Sequence, residues 1–186
     1  MSARNAGKLS GQPVAASATA KPRAPYVALC PGYGSARSTG WDRKLWPHGE
    51  ELIARLTERR VPVVIVGGAD DASISPCRSV SVRVPTVLDL RGRLTLRQAA
   101  GVLARAARVV TIDNGLAHVA AAAGAPVTAL FGFTSPVKNR PMGPRVRVLT
   151  AGLDCQPCQM TPREHTCRQA ECMRAITVDQ VLEAMG

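Results

Sequence analysis

Four residues at one seam carry much of the chemistry this chain can offer. In "RVVTIDNGLAHVAAAAGAP", residues 108–126, an apolar run gives way to Asp113, Asn114 and Gly115, and an alanine-rich segment containing His118 follows. The run reads as a strand and the alanine segment as a helix, so the seam joins a strand's carboxyl end to a helix's amino end. Such a helix start offers unpaired N–H groups and partial positive charge, a natural seat for phosphate. Gly115 lets the backbone turn tightly there. Asn114 suits two tasks equally, capping the helix or touching a ligand. Asp113 would repel phosphate, but its carboxylate can accept hydrogen bonds from sugar hydroxyls. His118 lies one helical turn beyond Asn114, so both can share a face. A lone histidine in such a helix is usually structural; beside Asp113 and Gly115, a ligand role is the expectation.

A second stretch, "CPGYGSARSTGWDRKLWP", spans residues 30–47. Gly32 and Gly34 permit close backbone approach, Ser38 and Thr39 carry hydroxyls, and Lys44 supplies a mobile positive charge. Neither the G-x-x-x-x-G-K-[ST] nor the G-x-G-x-x-G spacing is present. Trp46 and Pro47 read as packing residues that fix this loop on the next helix. In "GGADD", Asp70 or Asp71 could reach ribose hydroxyls, or the stretch is a solvated acidic turn.

Cysteines form the third constellation. Cys155, Cys158, Cys167 and Cys172 are spaced C-x2-C-x8-C-x4-C. Four thiolates can hold zinc tetrahedrally and pin a loop, with His165 able to replace one ligand. Free thiols or redox-formed bridges are the competing readings. Cys30 and Cys77 stand apart as ordinary thiols.

The elements that position these residues follow from periodicity. Strand candidates are "YVALCPG", which ends in a turn, "VPVVIVGG", "TVLDLRG", "RVVTI", "VTALFG" and "VRVLT". Helix candidates lie between them: "PHGEELIARLTERR" with Pro47 in its first turn, "TLRQAAGVLARAA" behind a Thr95/Gln98 capping box, and the alanine-rich segment. A closing helix over 177–185 has a second box, Thr177/Gln180. Alternation of this kind predicts an α/β fold, a Rossmann-like parallel sheet with helices on both faces. Ligands of such sheets bind beyond the strands' carboxyl ends, where the polar stretches 32–46, 67–71, 113–118 and 132–144 all fall.

Composition sets the outer limits. The 186 residues are 46% hydrophobic and 20% charged, a balance that suits one globular domain. Residues 1–24 are small, polar and Pro/Gly-dotted, and read as a disordered arm before a domain at 25–186. They lack the apolar core of a secretory signal, and Pro126 and His118 break the long apolar window at 116–133, so the expected location is cytoplasmic. The net charge of +11 favours anionic partners, though compositional bias explains it equally well. Aromatics at 3% leave little for stacking bases, and nucleic acid is not an expected partner.

Beyond these physical readings, "TIDNGLAHVAAAAGAPVTALFGFTSP" resembles the D-[ST]-G-x-x-H-x-A-A-A-x-G-x-P-x-x-x-L-F-G-x-T-x-P signature of glycosyltransferase family 9, the bacterial heptosyltransferases. "PGYG…KLWP" and "CQPCQ…CM" are similar to that family's lysine-bearing loop and cysteine-bearing tail. The resemblance implies the C-terminal, donor-binding domain of a GT-B enzyme, in which two Rossmann-like domains face each other across a cleft. It implies that Asp113 holds donor-sugar hydroxyls, that Asn114, Gly115 and His118 serve the diphosphate, and that Lys44 and Thr39 assist there. It also implies Leu94 beside the base. The family's ribose-binding acid falls nearest Ala72, which leaves Asp71 as its substitute, and Asn114 replaces the commoner Ser or Thr.

The implied reaction is metal-independent inverting transfer from a nucleoside-diphosphate sugar, ADP-heptose, to a lipopolysaccharide core, at or near the inner membrane. The family's acceptor half and general base have no counterpart in this sequence, so no catalytic base is expected in this chain. A fragment, a split enzyme with a separate N-terminal acceptor domain, and a stand-alone binding module remain open. A different Rossmann-like nucleotide-binding protein is the more distant reading.

Overall fold

The computed structural model describes residues 25–34, 40–74, 77, 86–167 and 169–186. Residues 1–24 lie outside them, and with them the expected arm.

Six parallel strands form one sheet: β1 (Val27–Cys30), β2 (Val63–Ile65), β3 (Val87–Asp89), β4 (Arg108–Ile112), β5 (Val127–Leu130) and β6 (Val146–Leu149). Their spatial order is β3-β2-β1-β4-β5-β6. The chain therefore runs outward from β1 in one direction, crosses back, and continues from β4 in the other. That reversal opens a crevice beyond the ends of β1 and β4. Val27 stands level with both Val63 and Arg108, so the first residues of the three central strands are aligned.

Strand alternation splits the core into two layers. Val27, Leu29, Val63, Ile65, Val110 and Ile112 face one side, where Leu52, Ile53 and Leu56 of α1 (Gly49–Glu58) join Val178, Val181 and Met185. Ala28, Cys30, Val64, Val66, Val109, Val127 and Ala129 face the other, against Ala99 and Leu103 of α3 (Leu96–Ala104) and Ala120 of α4 (Gly115–Ala122). Helices thus cover both faces of the sheet, as the sequence pattern predicts.

Both capping boxes form. Thr95 Oγ1 accepts from Gln98 N at 3.3 Å and Gln98 Oε1 from Thr95 N at 2.9 Å. The Thr177/Gln180 pair opens the last helix, α7 (Val178–Met185), with the same bonds at 3.2 and 2.8 Å. At its far end, Arg108 donates to the carbonyl of Met185 and Arg147 to that of Ala184, satisfying carbonyls that the helix leaves open.

Three four-residue helices were beyond the reach of periodicity: α2 (Asp71–Ile74), α5 (Pro136–Asn139) and α6 (Glu171–Arg174). One helix start also differs from expectation. α1 begins at Gly49 behind its N-cap His48, so Pro47 precedes the helix. Trp46 packs as expected: it is buried, and its Nε1 donates to Ile176 O at 2.8 Å.

Candidate functional site

The seam between β4 and α4 is held by Asn114. Its Oδ1 accepts from Ala117 N at 3.0 Å, which makes it the N-cap of α4. Its Nδ2 donates to Gly32 O at 2.7 Å and Cys30 O at 3.2 Å, and Thr111 Oγ1 donates to Oδ1 at 3.2 Å. One amide thus ties the ends of β1 and β4 to the helix start, which decides the open choice for its side chain in favour of capping. The amides of Gly115 and Leu116 begin the helix with no intrahelical acceptor. Gly115 is exposed, and a methyl group added there would meet nothing within 4 Å.

On one side of this seam lies a cleft of about 390 Å³. Leu94, Leu96, Leu116 and Val119 give it apolar walls, while Gly115 and Asn114 form its edge. Its floor is built on Asp71. This carboxylate is buried and accepts from Gly68 N at 2.7 Å and Gly34 N at 2.8 Å, joining the two glycine turns after β1 and β2. A Cβ on Gly32 would stand 2.0 Å from Asp71 Oδ1, so a glycine is required there for close approach.

Arg91 braces the same floor. It grips Asp89 through both carboxylate oxygens, at 3.0 and 2.7 Å, and donates to the carbonyls of Asp71 and Cys77. Asp71 was read as a substitute for the family's ribose-binding acid or as part of an acidic turn; both its carboxylate oxygens accept from the glycine turns. Burial, with the Asp71 charge second, pushes the Cys30 thiol well above its ordinary range.

On the other side of the seam stands a buried ion pair. Lys44 Nζ lies 3.0 Å from Asp113 Oδ2 and donates to Asp113 O at 3.2 Å. The ammonium also sits 3.7 Å from the centre of the Trp41 ring, and Asn139 Nδ2 donates to Asp113 Oδ2 at 3.3 Å. Burial lowers the Lys44 pKa, and the Asp113 hydrogen bond and charge partly restore it. Lys44 was read as a mobile positive charge; its side chain is buried, only 6% exposed. Its stem threads inward from the 3₁₀ helix Trp41–Lys44.

The structure therefore brings Lys44, Asp113, Asn114 and Gly115 together, with Leu94 and Asp71 in the adjoining cleft. His118 is exposed on α4, outside the cleft lining. Thr39 lies outside the described residues. Sequence reasoning missed Arg91, Asn139 and Trp41. Asn139 falls within the 132–144 rim stretch, the one signal that could have found it.

Cys155, Cys158, Cys167 and Cys172 line a second cleft of about 500 Å³. Among the described residues, no three His, Cys, Asp or Glu side chains form a group that could hold a metal ion. Cys172 also belongs to the buried core cluster with Met173 and Ile176. Burial raises its pKa to about 11. The Cys158 thiol is also raised, by burial first and then by Cys167 and Cys155. The side chain of His165 lies outside the described positions. No disulfide forms among the described residues.

The family model for glycosyltransferase family 9 (heptosyltransferase) matches residues 6–168. The chain belongs to that family. Among curated family 9 relatives, it is 31% identical over 134 residues to lipooligosaccharide heptosyltransferase 2 of Haemophilus influenzae, covering 67% of this chain and 36% of that protein. It is 34% identical over 144 residues to lipopolysaccharide heptosyltransferase 1 of Pseudomonas aeruginosa, covering 76% and 38%.

Solved family 9 structures agree in fold. Escherichia coli ADP-heptose LPS heptosyltransferase II superposes with a TM-score of 0.65 at 25% identity, over 89% of this chain and 47% of that one. An E. coli heptosyltransferase solved with ADP gives a TM-score of 0.65 at 25% identity, over 87% and 44%. The chain spans 36–38% of the length of these two curated relatives. No helix among the described residues is long and apolar enough to cross a membrane.

Proposed function

We propose that this family 9 chain is the donor-binding half of an inverting glycosyltransferase. In this reading the apolar cleft takes the base and ribose of a nucleoside-diphosphate sugar, and the diphosphate lies on the Gly115 and Leu116 amides. Lys44 and Asp113 face the diphosphate and the sugar hydroxyls, with His118 on the same helix at the outer rim. The observation that carries the reading is the single seam at 113–115. It joins a nucleoside-sized apolar cleft, an open helix start and a paired lysine and carboxylate. ADP-heptose is the proposed donor and a lipopolysaccharide core the proposed acceptor, with work at the cytoplasmic side of the inner membrane.

The chemistry follows from charge. As the glycosidic bond breaks, negative charge grows on the departing diphosphate. Fixed amides and an ammonium then bind the transition state more strongly than the ground state. Each charge-assisted hydrogen bond contributes about 1.5–3 kcal/mol. The general base is assigned to an acceptor domain outside these residues, and the reading routes no step through a metal. A structural zinc at the four thiols is a separate expectation, decided by elemental analysis of protein purified without chelator.

Titration calorimetry with ADP and adenosine tests the binding step. ADP should bind more tightly than adenosine, and equal affinity overturns the reading. A second reading, a non-catalytic nucleotide-sugar-binding module or subunit, draws on the partial span of the relatives. Transfer activity measured with and without candidate acceptor domains separates the two.

A further inference from the structure

Arg43 immediately precedes Lys44, yet its side chain turns away from the seam. Its Nε donates to Gly40 O at 3.1 Å, which closes the start of the 3₁₀ helix. The guanidinium lies 4.5 Å over the Phe133 ring, donates through Nη1 to Glu164 O, and stands 3.8 Å from Glu164 Oε1. Glu164 belongs to the short helix Pro162–His165, between Cys158 and Cys167. Its Oε2 accepts from Met160 N at 2.5 Å.

That cysteine-bearing loop is itself fastened to the end of β5. Gln159 N donates to Phe133 O at 2.9 Å, and Gln156 Nε2 to Gly132 O at 3.0 Å. Gln159 Oε1 accepts from Ser135 N at 3.2 Å, and Ser135 is the N-cap of α5, whose Asn139 touches Asp113. A four-residue 3₁₀ helix has too few internal bonds to hold its own place. Trp46 anchors the chain after it, and Arg43 anchors it to the loop.

We propose that Arg43 and Glu164 are positioning residues, through which the cysteine-bearing loop holds Lys44 against Asp113 and so sets the grip of the site on a diphosphate. The diphosphate part rests on the reading given under Proposed function; the placement of Lys44 does not. Two measurements on the full chain therefore serve. In the first, acetylation of Lys44 by an amine-directed reagent is followed by mass spectrometry, with Lys8 as internal reference. Arg43→Ala should raise the Lys44 rate about tenfold, and Glu164→Gln, the milder variant, should raise it less, since each releases a lysine that is now shielded. Arg55→Ala, which removes an exposed pair with Asp179, should leave it unchanged. An unchanged Lys44 rate in both Arg43→Ala and Glu164→Gln overturns the proposal.

The second measurement is ADP and adenosine affinity. Arg43→Ala should weaken ADP about tenfold, leave adenosine unchanged, and have no further effect in a Lys44→Met background. Equal losses for ADP and adenosine, or a full additional loss in that background, overturn the positioning role. If the parent chain binds no ADP, the functional reading fails and the acetylation result alone decides this one.

Discussion

The Lys44 ammonium lies 3.0 Å from the Asp113 carboxylate, across 69 positions of sequence, and each side chain is less than one-tenth exposed. Each charge would be costly to bury alone. Together, with Trp41 against the ammonium and Asn139 on the carboxylate, they form a preorganised dipole across the Asn114–Gly115 seam from a nucleoside-sized cleft. Such a pair can shift the lysine's contacts toward an arriving anion without first drawing it from bulk water.

Lys44→Met should weaken ADP binding and destabilise the fold by about 3 kcal/mol, because Asp113 is left buried without its cation. The double variant Lys44→Met/Asp113→Leu should regain most of that stability, as apolar replacements of buried pairs do, while ADP binding stays weak. Urea denaturation and calorimetry read the two effects separately. Recovery of both together would show that Lys44 matters only for folding.

ADP affinity should fall with rising pH earlier than an ordinary lysine dictates. Burial holds the Lys44 pKa below its ordinary value of 10.5, so the ammonium begins to deprotonate at lower pH than an exposed lysine. For stability the sign is opposite: the native state releases this proton first, so Lys44's contribution rises with pH through the same window. Calorimetry from pH 7 to 10 on the parent chain and Lys44→Arg checks the binding term, since an arginine stays charged throughout.

Asn114→Ala removes an N-cap and both side-chain bonds to the end of β1, and should cost about 2–3 kcal/mol. Asn114→Ser should recover roughly the capping share, about 1 kcal/mol, but a serine hydroxyl cannot donate to two carbonyls at once. Equal stability of the Ser variant and the parent would mean that the contacts with Cys30 and Gly32 contribute nothing.

Gly115→Ala separates fold from function in the other direction. Its methyl group meets no neighbour, and Gly115 does not have a positive φ, so stability should hold or rise by about 0.5 kcal/mol. The same methyl stands beside the open amides of the helix start and should weaken ADP binding. Unchanged affinity would move the diphosphate away from this helix end.

Cys172 should add an alkaline loss of stability. Its native pKa of about 11 lies above the ordinary 9.0, so between those values the unfolded chain loses a proton that the native state keeps. Stability falls as pH rises through that window. Cys172→Ala should show a shallower decline from pH 9 to 11 in denaturant titrations. Parallel curves would mean that the thiol ionises as readily in the fold as outside it.

Local chemistry was legible without coordinates. Apolar runs of strand length, the two Thr/Gln capping boxes and the glycine at the β4–α4 seam each express an interaction spanning four residues or fewer. The alternation of strands and helices then left few topologies, and the rim stretches pointed to the sheet edge where Gly32, Asp71 and Asn114 meet.

What the chain order could not express was how side chains far apart divide their bonds. Asp71 has the chemistry of a ribose ligand, and only the fold places it beneath Gly32 and commits its oxygens to Gly34 and Gly68. Asn114 could cap or bind, and the carbonyls of Cys30 and Gly32 decide it. Four closely spaced cysteines could hold a metal or stay free, and only the fold shows that they line one cleft with Cys172 also reaching the apolar core. Residue type and spacing fix which bonds are available; burial and contacts between distant segments decide which are made, because a buried polar atom must take whatever partner the fold brings to it.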